Sequence, residues 1–195
     1  MTAIRISTWR RHRTAIALAA MVALAPAIGM GAWAVGIQLV GNVHVVAPGQ
    51  LYRSAQLDGE DLTEVIRDYN VRTVVNLRGR NDGLPWYDDE IKVSAAADAA
   101  HVDIRMSAKD EPDDALISEL VRVLRDAQKP ILVHCHSGSD RTGLAAALYE
   151  FVVEGKPADE AAGQLSFFYG HFPWFGSRTA AMDGAFERLV SREKS

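Results

Sequence analysis

The chain contains a single cysteine, Cys135, among its 195 residues. One cysteine cannot form an internal disulfide, and a redox couple within the chain would need a second thiol. A disulfide-stapled fold and a two-cysteine redox site are therefore excluded. Because a lone cysteine is more often a small buried side chain than a nucleophile, the residues around Cys135 must distinguish these two roles.

Charged residues are missing from a long stretch near the N-terminus, residues 15–40, and no acidic residue precedes it. The stretch exceeds the roughly 20 apolar residues that cross a bilayer as a helix, and Pro26 would kink such a helix without preventing it. The preceding segment, 1–14, carries arginines at positions 5, 10, 11 and 13. This excess of basic residues predicts a single-pass anchor in the cell membrane, with a cytoplasmic N-terminus and an extracytoplasmic remainder.

The same stretch is also compatible with a cleaved signal peptide. Residues 16–25 would form its apolar region, and Ala32, Trp33 and Ala34 have the small-x-small pattern of a cleavage site. In that case the mature domain would be secreted or periplasmic instead of anchored.

All 25 acidic residues follow the apolar stretch, with 17 of the 21 basic ones, which leaves this part of the chain with a formal net charge of −8. A field of this sign repels polyanions at long range. Nucleic acid is therefore excluded as an expected partner, and highly phosphorylated ligands are disfavoured.

Beyond residue 40 the sequence alternates between strands and helices. A linker is expected at 41–49 and one domain at 50–195. Strands are predicted at 49–57, 71–77, 102–106 and 130–134. Helices are predicted at 58–69, at 86–100, from 114 onwards, and at 141–154, 157–168 and 178–192. This order predicts an α/β fold with a mostly parallel central sheet flanked by helices and preceded by an N-terminal apolar helix.

The sequence ILVHCHSGSDRTG, residues 131–143, places Cys135 between a buried strand and a helix. In α/β folds, ligands bind beyond the carboxyl ends of such strands. The spacing from Cys135 to Arg141 allows one tight loop whose N–H groups point inward, with Gly138 in a conformation that other residues disfavour. We expect this loop to hold a phosphate group, with Arg141 matching two of its oxygens. The predicted phosphate-binding residues are His136, Ser137, Gly138, Ser139, Asp140 and Arg141.

The same electrostatic field favours a thiolate over a thiol at Cys135, because it is built to hold negative charge. Cys135 would then attack phosphorus and form a phosphocysteine intermediate, which water hydrolyses. Thr142 is placed to donate a hydrogen bond to the sulfur, and His134 to orient the loop through backbone contacts. A zinc site at His134, Cys135 and His136 is disfavoured because adjacent residues point in different directions.

The segment VHCHSGSDRTG resembles the H-C-x5-R-[ST] signature of the cysteine-dependent protein tyrosine and dual-specificity phosphatases. The segment GQLYRSAQ, residues 49–56, is similar to the opening of atypical members, among them bacterial homologues and enzymes that act on inositol pyrophosphates. The resemblance implies the compact dual-specificity fold and hydrolysis of phosphomonoesters without a metal or an organic cofactor.

The family also uses an aspartate as general acid, and here the resemblance leaves three candidates. The loop SAKDEPDD, residues 107–114, lies where compact phosphatases carry this acid, which favours Asp110, with Glu111 as its neighbour. Asp140 lies inside the signature loop, where it can instead orient Arg141 or cap the helix.

Protein phosphotyrosine is the expected substrate, with dual specificity open. The alternatives are a phosphoinositide or inositol (pyro)phosphate substrate and a non-catalytic phosphate-binding module. A sulfur-transfer protein of the rhodanese kind is disfavoured because its loop lacks the R-[ST]-G ending.

Two arginines and an aromatic segment each allow two interpretations. Arg53 and Arg78 lie on predicted strands or just after them, near the same sheet edge; either can contact the substrate, although a solvated or salt-bridged arginine is commoner. The segment FYGHFPWFG, residues 168–176, either lines the pocket or packs in the core. The histidines at positions 44, 101 and 171 are expected to be surface or structural residues.

Overall fold

The computed structural model describes residues 3–173 and 177–193, with side chains described at 16–26, 28–173 and 177–193. Part of the aromatic segment, residues 174–176, lies outside the described residues. The chain separates into two compact units, Met1–Ile37 and Gln38–Ser195.

Helix α1, Ala3–Leu39, accounts for the first unit and contains Pro26. Its segment Ile16–Leu39 has a mean hydropathy of 1.9 and is long and apolar enough to cross a membrane. Large apolar side chains of this segment are exposed, including Leu24 and Val35. The predicted N-terminal apolar helix is thus present.

The second unit is built on a five-stranded sheet in the order β1-β2-β5-β3-β4. The strands are β1 His44–Ala47, β2 Leu51–Ser54, β3 Thr73–Asn76, β4 Ala100–Asp103 and β5 Ile131–His134. Only the edge pair β1 and β2 is antiparallel, and the other three pairs are parallel. The predicted α/β class with a mostly parallel sheet is confirmed.

Helices cover both faces of this sheet. They are α2 Gly59–Tyr69, α3 Pro85–Ala96, α4 Asp114–Asp126, α5 Asp140–Leu148, α6 Ala158–Ala161 and α7 Ala180–Glu193. One turn of π-helix, Tyr149–Val153, continues α5, and short 3-10 turns occupy Ala162–Gln164 and Phe167–Tyr169. Asp58 caps α2 by accepting hydrogen bonds from the N–H groups of Glu60 and Asp61, as its position before the helix predicted.

Alternate residues along the central strands face opposite layers. Leu51, Val75 and Val133 belong to a core cluster shared with α4, α5 and α7. Tyr52 and Leu132 belong to a second cluster on the other face, shared with α2. Because both faces are covered, the central strands appear in the sequence as continuous apolar runs and were predictable.

Three boundaries differ from the sequence prediction. The expected linker, 41–49, contains β1, which is too short to show a strand pattern and is held by its pairing with β2. The third predicted strand, 102–106, lies earlier, at Ala100–Asp103, because α3 stops at Ala96 and Asp98 adopts a left-handed backbone with φ of 52°. The predicted helix at 157–168 is instead divided into α6 and the two 3-10 turns.

Candidate active site

Cys135 directly follows β5, the central strand of the sheet, and its side chain is almost completely buried. The alternation along β5 directs Cys135 to the same side of the sheet as Val133, toward α5 and α7. The loop that follows runs from Cys135 to Asp140, where α5 begins. The helix N-terminus therefore lies at the loop, as an anion site requires.

The loop approaches β2 so closely that its middle residue must be glycine. Gly138 has φ of +72°, and a Cβ atom there would lie 2.7 Å from the backbone of Ser54 and Ala55. Both the backbone angle and the contact exclude a side chain. The sequence predicted the first constraint, and only the structure reveals the second.

Arg141 lies in the first turn of α5 and reaches the segments after β3 and β4. Its Nη1 donates to the carbonyl oxygens of Leu77 at 3.4 Å and Met106 at 3.3 Å. Thr142, the next residue, is fully buried, and its hydroxyl oxygen has no hydrogen-bond partner within the described part of the chain. Its hydroxyl is therefore available to a group in the loop.

His134 lies beneath the loop in contact with a buried carboxylate. Its Nδ1 lies 3.2 Å from the carbonyl oxygen of Cys135, and its Nε2 lies 3.2 Å from Oε2 of Glu90. The same carboxylate accepts a hydrogen bond from Gln56 at 2.8 Å and contacts His101 at 2.7 Å. Burial alone would raise the pKa of Glu90, but the imidazoles of His101 and His134 outweigh it and lower the pKa to about 2.

Glu90 was not predicted as a site residue, because nothing in the sequence of α3 distinguishes it from the neighbouring acidic residues. Of these, Asp89 is exposed and pairs with Lys92, whereas Glu90 is only 3% exposed. Asn42 was missed for a similar reason, since it lies in the expected linker. Its amide donates at 3.0 Å to the carbonyl oxygens of Ser137 and Tyr169.

Arg78 lies beside the loop and is held by two neutral groups. Its Nη1 donates to Oε1 of Gln56 at 3.1 Å, and its guanidinium carbon lies 3.7 Å from the ring centroid of Trp86. The backbone N–H of Gln56 in turn donates to the carbonyl oxygen of His136 at 3.1 Å. Burial, followed by the positive charge of Arg141, lowers the pKa of Arg78. Arg78 contacts the segment after β2, and Arg141 contacts the segments after β3 and β4, so both guanidinium groups lie at this edge of the sheet.

Arg53 does not have the solvent-exposed or salt-bridged environment that is commoner for arginine among the described residues. Its side chain is completely buried, and its Nη2 donates to the carbonyl oxygen of Gly138 at 2.8 Å. It therefore contacts the loop between β5 and α5 from within the protein.

The three candidate acids have different surroundings. Asp110 lies on an exposed loop, and its Oδ2 accepts a hydrogen bond from Ser107 at 2.7 Å. Glu111 forms an ion pair with Arg188 of α7. Asp140 accepts a hydrogen bond at 2.7 Å from His171, a buried side chain.

The sequence profile of the tyrosine phosphatase family matches residues 35–160. The chain belongs to this family. The segment includes Cys135 and Arg141, so the resemblance found in the sequence is confirmed.

The dual specificity protein phosphatase TpbA of Pseudomonas aeruginosa is 32% identical over 126 residues, which are 64% of this chain and 53% of TpbA. The chain thus spans about half the length of the curated relatives that it matches first. A crystal structure of TpbA is similar with a TM-score of 0.57 and 26% identity, covering 77% of this chain and 91% of that one. A further structure of TpbA, in complex with pTyr, has the same TM-score, with 76% and 90% covered.

More distant structures share the fold. The core catalytic domain of the PP-IP phosphatase SIW14 from S. cerevisiae has a TM-score of 0.59 at 16% identity, with 78% of this chain and 93% of that chain covered. PTPMT1 in complex with PI(5)P has a TM-score of 0.56 at 16% identity, with 77% and 98% covered. The expected dual-specificity-like fold is confirmed.

Proposed function

We propose that the protein is a cysteine-dependent phosphatase that hydrolyses phosphomonoesters, with protein phosphotyrosine as its principal substrate. The observation that carries this proposal is the loop from Cys135 to Arg141. It joins the end of the central strand to a helix N-terminus, contains a glycine in the left-handed region, and ends on an arginine. This combination holds a phosphate group directly in front of a thiolate.

The reaction then has two displacement steps. The Cys135 thiolate attacks phosphorus, an S–P bond forms, and the P–O bond to the leaving group breaks while an acid delivers a proton to that oxygen. Water next gives a proton to the same carboxylate as it attacks phosphorus, the S–P bond breaks, and phosphate leaves with the thiolate and the acid restored. In this proposal, loop N–H groups and Arg141 hold the equatorial oxygens throughout, and the Thr142 hydroxyl stabilises the departing sulfur.

Asp110 is the acid that we propose for the first step. Glu111 is engaged by Arg188 and Asp140 by His171, so each carboxylate has a cationic or potentially cationic partner that holds it elsewhere. The partner of Asp110 is a hydroxyl group, that of Ser107, on the same exposed loop. A carboxylate held in this way is free to approach a leaving group.

The substrate preference rests on the relatives and on charge. TpbA is named a dual specificity protein phosphatase, and a structure of it contains pTyr. The net charge of −8 beyond residue 40 opposes highly phosphorylated ligands at long range. Inositol pyrophosphates and phosphoinositides are the second candidate class, because the fold is shared with SIW14 and PTPMT1.

The full chain, purified in a mild detergent, tests the proposal on an aryl phosphate. Hydrolysis by the wild-type protein and its loss in Cys135→Ser, with an acid-stable phosphoryl group trapped only on the wild-type protein, are the expected results. Hydrolysis retained in Cys135→Ser would refute covalent catalysis. Tungstate binding by a wild-type protein that does not turn over would identify a phosphate-binding module instead.

We also propose that residues 15–40 anchor the protein in a membrane with the phosphatase domain outside the cytoplasm. The exposed apolar side chains of Ile16–Leu39 and the arginines before it support this placement. A reporter that is active only in the cytoplasm, fused after Ser195, should be inactive. An active reporter would contradict the orientation, and a mature chain beginning after residue 34 would show that the segment is a cleaved signal.

A further inference from the structure

Arg53 is a fully buried cation whose chemistry the proposed reaction does not use. It lies within β2, and its exposed fraction is 0%. Within the described residues, no carboxylate forms an ion pair with it. Because burying an unpaired charge is costly, the surrounding structure must compensate it with oriented dipoles.

Those dipoles come from the phosphate loop and from one turn after α6. Nη2 of Arg53 donates to the carbonyl oxygens of Gly138 at 2.8 Å and Ser139 at 3.4 Å. Nη1 donates to the carbonyl oxygen and to Oε1 of Gln164 at 2.9 and 2.7 Å. The guanidinium carbon lies 3.8 Å from the ring centroid of Tyr169. Arg53 thus connects the loop to two later segments of the chain.

The contacts to Gly138 and Ser139 determine where the loop N–H groups point. In a planar trans peptide, the C=O and the N–H of the next residue point in opposite directions. If the carbonyl oxygens of Gly138 and Ser139 face Arg53, the N–H groups of Ser139 and Asp140 face away from it. These are two of the amides expected to bind phosphate.

Both glycines of the signature allow this arrangement. A Cβ atom on Gly138 would lie 2.7 Å from Ser54, the residue after Arg53. A Cβ atom on Gly143 would lie 2.9 Å from the carbonyl oxygen of Gln164 and 3.6 Å from Nη2 of Arg53. Because neither glycine carries a side chain, β2 and the turn that contains Gln164 can both pack against the loop, next to the guanidinium group of Arg53.

The charge of Arg53 also acts on several titratable groups. Burial lowers the pKa of Arg53 to about 10, so it remains protonated at neutral pH, and the groups that oppose this shift are Tyr169, Cys135 and Glu150. On β1, the pKa of His44 is lowered by burial and then by Arg53. In a buried setting such interactions are weakly screened. The attraction between Arg53 and the Cys135 thiolate is accordingly mutual.

We propose that Arg53 is a positioning residue of the phosphate loop, which turns two loop carbonyls away from the anion site and supplies a fixed positive charge behind the nucleophile. The role rests on the proposed phosphatase function. Two substitutions separate the two parts of this role. Arg53→Lys keeps the positive charge but loses the planar fork of hydrogen-bond donors, whereas Arg53→Met, of similar length, loses both.

The experiment uses the full chain in detergent and measures two quantities for each variant. One is the pH dependence of Cys135 alkylation by iodoacetamide, and the other is kcat/KM on an aryl phosphate. For Arg53→Met we expect the alkylation midpoint to rise by about one pH unit and kcat/KM to fall about a hundredfold, because the amides are misplaced. Arg53→Lys should keep an alkylation midpoint close to that of the wild-type protein while losing much of kcat/KM.

Arg67→Met is the matched control, since Arg67 is an exposed arginine of α2 that forms an ion pair with its neighbour Asp68. It should leave both quantities unchanged. Gln164→Leu removes one hydrogen-bond acceptor of Arg53 without touching the loop. If Arg53→Met does not fold, Gln164→Leu should still lower kcat/KM. An Arg53→Met protein with lower melting temperature but wild-type midpoint and kcat/KM would overturn the proposal. Failure of the wild-type protein to hydrolyse the ester would instead overturn the phosphatase function.

Discussion

Asp140 accepts a hydrogen bond from Nδ1 of His171 at 2.7 Å, and Nε2 of the same ring lies 2.9 Å from Oδ2 of Asp183. The ring of His171 is buried. Because a carboxylate faces each ring nitrogen, the imidazolium is the form that donates to both. This arrangement ties the first residue of α5, next to Arg141, to α7.

The first prediction concerns the pH dependence of stability. Burial alone would lower the pKa of His171, but Asp140 and Asp183 raise it above 6.5. Since the folded value exceeds the unfolded one, the stabilisation is complete below about pH 6.5 and is lost as the pH rises through the folded pKa. The melting temperature of the wild-type protein should therefore decline as the pH rises above about 6.5. In His171→Gln, which cannot carry this charge, the decline should be smaller.

His44→Gln provides the control for this measurement, because the pKa of His44 is shifted in the opposite direction. That variant should keep the decline of melting temperature above pH 6.5. Superimposable pH profiles for the wild-type protein and His171→Gln would show that the link does not stabilise the fold.

The second prediction separates the two constraints on Gly138. Gly138→Ala places a Cβ atom on a positive-φ backbone and against β2, whereas Gly155→Ala meets the same angle, φ of +70°, with nothing within 4 Å. Each substitution should destabilise the protein by about 1–2 kcal/mol through the backbone angle. Only Gly138→Ala should also displace the loop and lower kcat/KM, by about a hundredfold. Equal activities for the two variants would show that contact with β2 does not shape the site.

The third prediction concerns the buried carboxylate of Glu90. Glu90→Gln removes the charge that holds His101 and His134, so we expect a loss of unfolding free energy of about 3 kcal/mol at neutral pH. The depressed pKa of Glu90 gives stability that is present above its ordinary value of 4.5 and lost as the pH falls toward about 2. The difference between the variant and the wild-type protein in urea unfolding should therefore shrink at acidic pH.

Asp89→Asn is the matched substitution on the same helix, since Asp89 is exposed. It should change the unfolding free energy by less than about 0.5 kcal/mol. A difference between Glu90→Gln and the wild-type protein that stays constant from neutral to acidic pH would argue against a charged Glu90.

The fourth prediction identifies the general acid by the leaving group. Phenolate needs a proton as it departs, whereas p-nitrophenolate leaves readily without one. Asp110→Asn should slow phenyl phosphate hydrolysis by about a hundredfold or more and p-nitrophenyl phosphate hydrolysis far less. It should also remove the alkaline limb of the pH profile.

Glu111→Gln is the neighbouring control and should leave the ratio of the two rates unchanged. If Asp110→Asn preserves that ratio, the assignment is wrong, and Asp140→Asn becomes the next variant to measure. Folding of each variant is checked by its melting temperature.

The features predicted correctly depend on neighbouring residues. The buried runs at 71–77 and 130–134 are strands because both sheet faces are covered. Asp58 caps its helix because a cap needs only the next two or three residues. The failures have two causes. Strand β1 has only four residues, too few to show a strand pattern, although its partner β2 follows it directly in the chain. The segment predicted as a helix at 157–168 breaks into turns that bring Gln164 to Arg53, a partner more than a hundred positions away.

The chemistry proposed for this protein was predictable from the sequence, because Cys135, Gly138 and Arg141 all lie within one short loop. The residues that support this loop were not predictable, because they come from distant parts of the chain. Arg53 lies more than eighty positions before Gly138, and Glu90 more than forty before His134. Such contacts arise when the sheet and helices assemble, since burial, rather than residue type, turns an ordinary arginine or glutamate into a partner of the site.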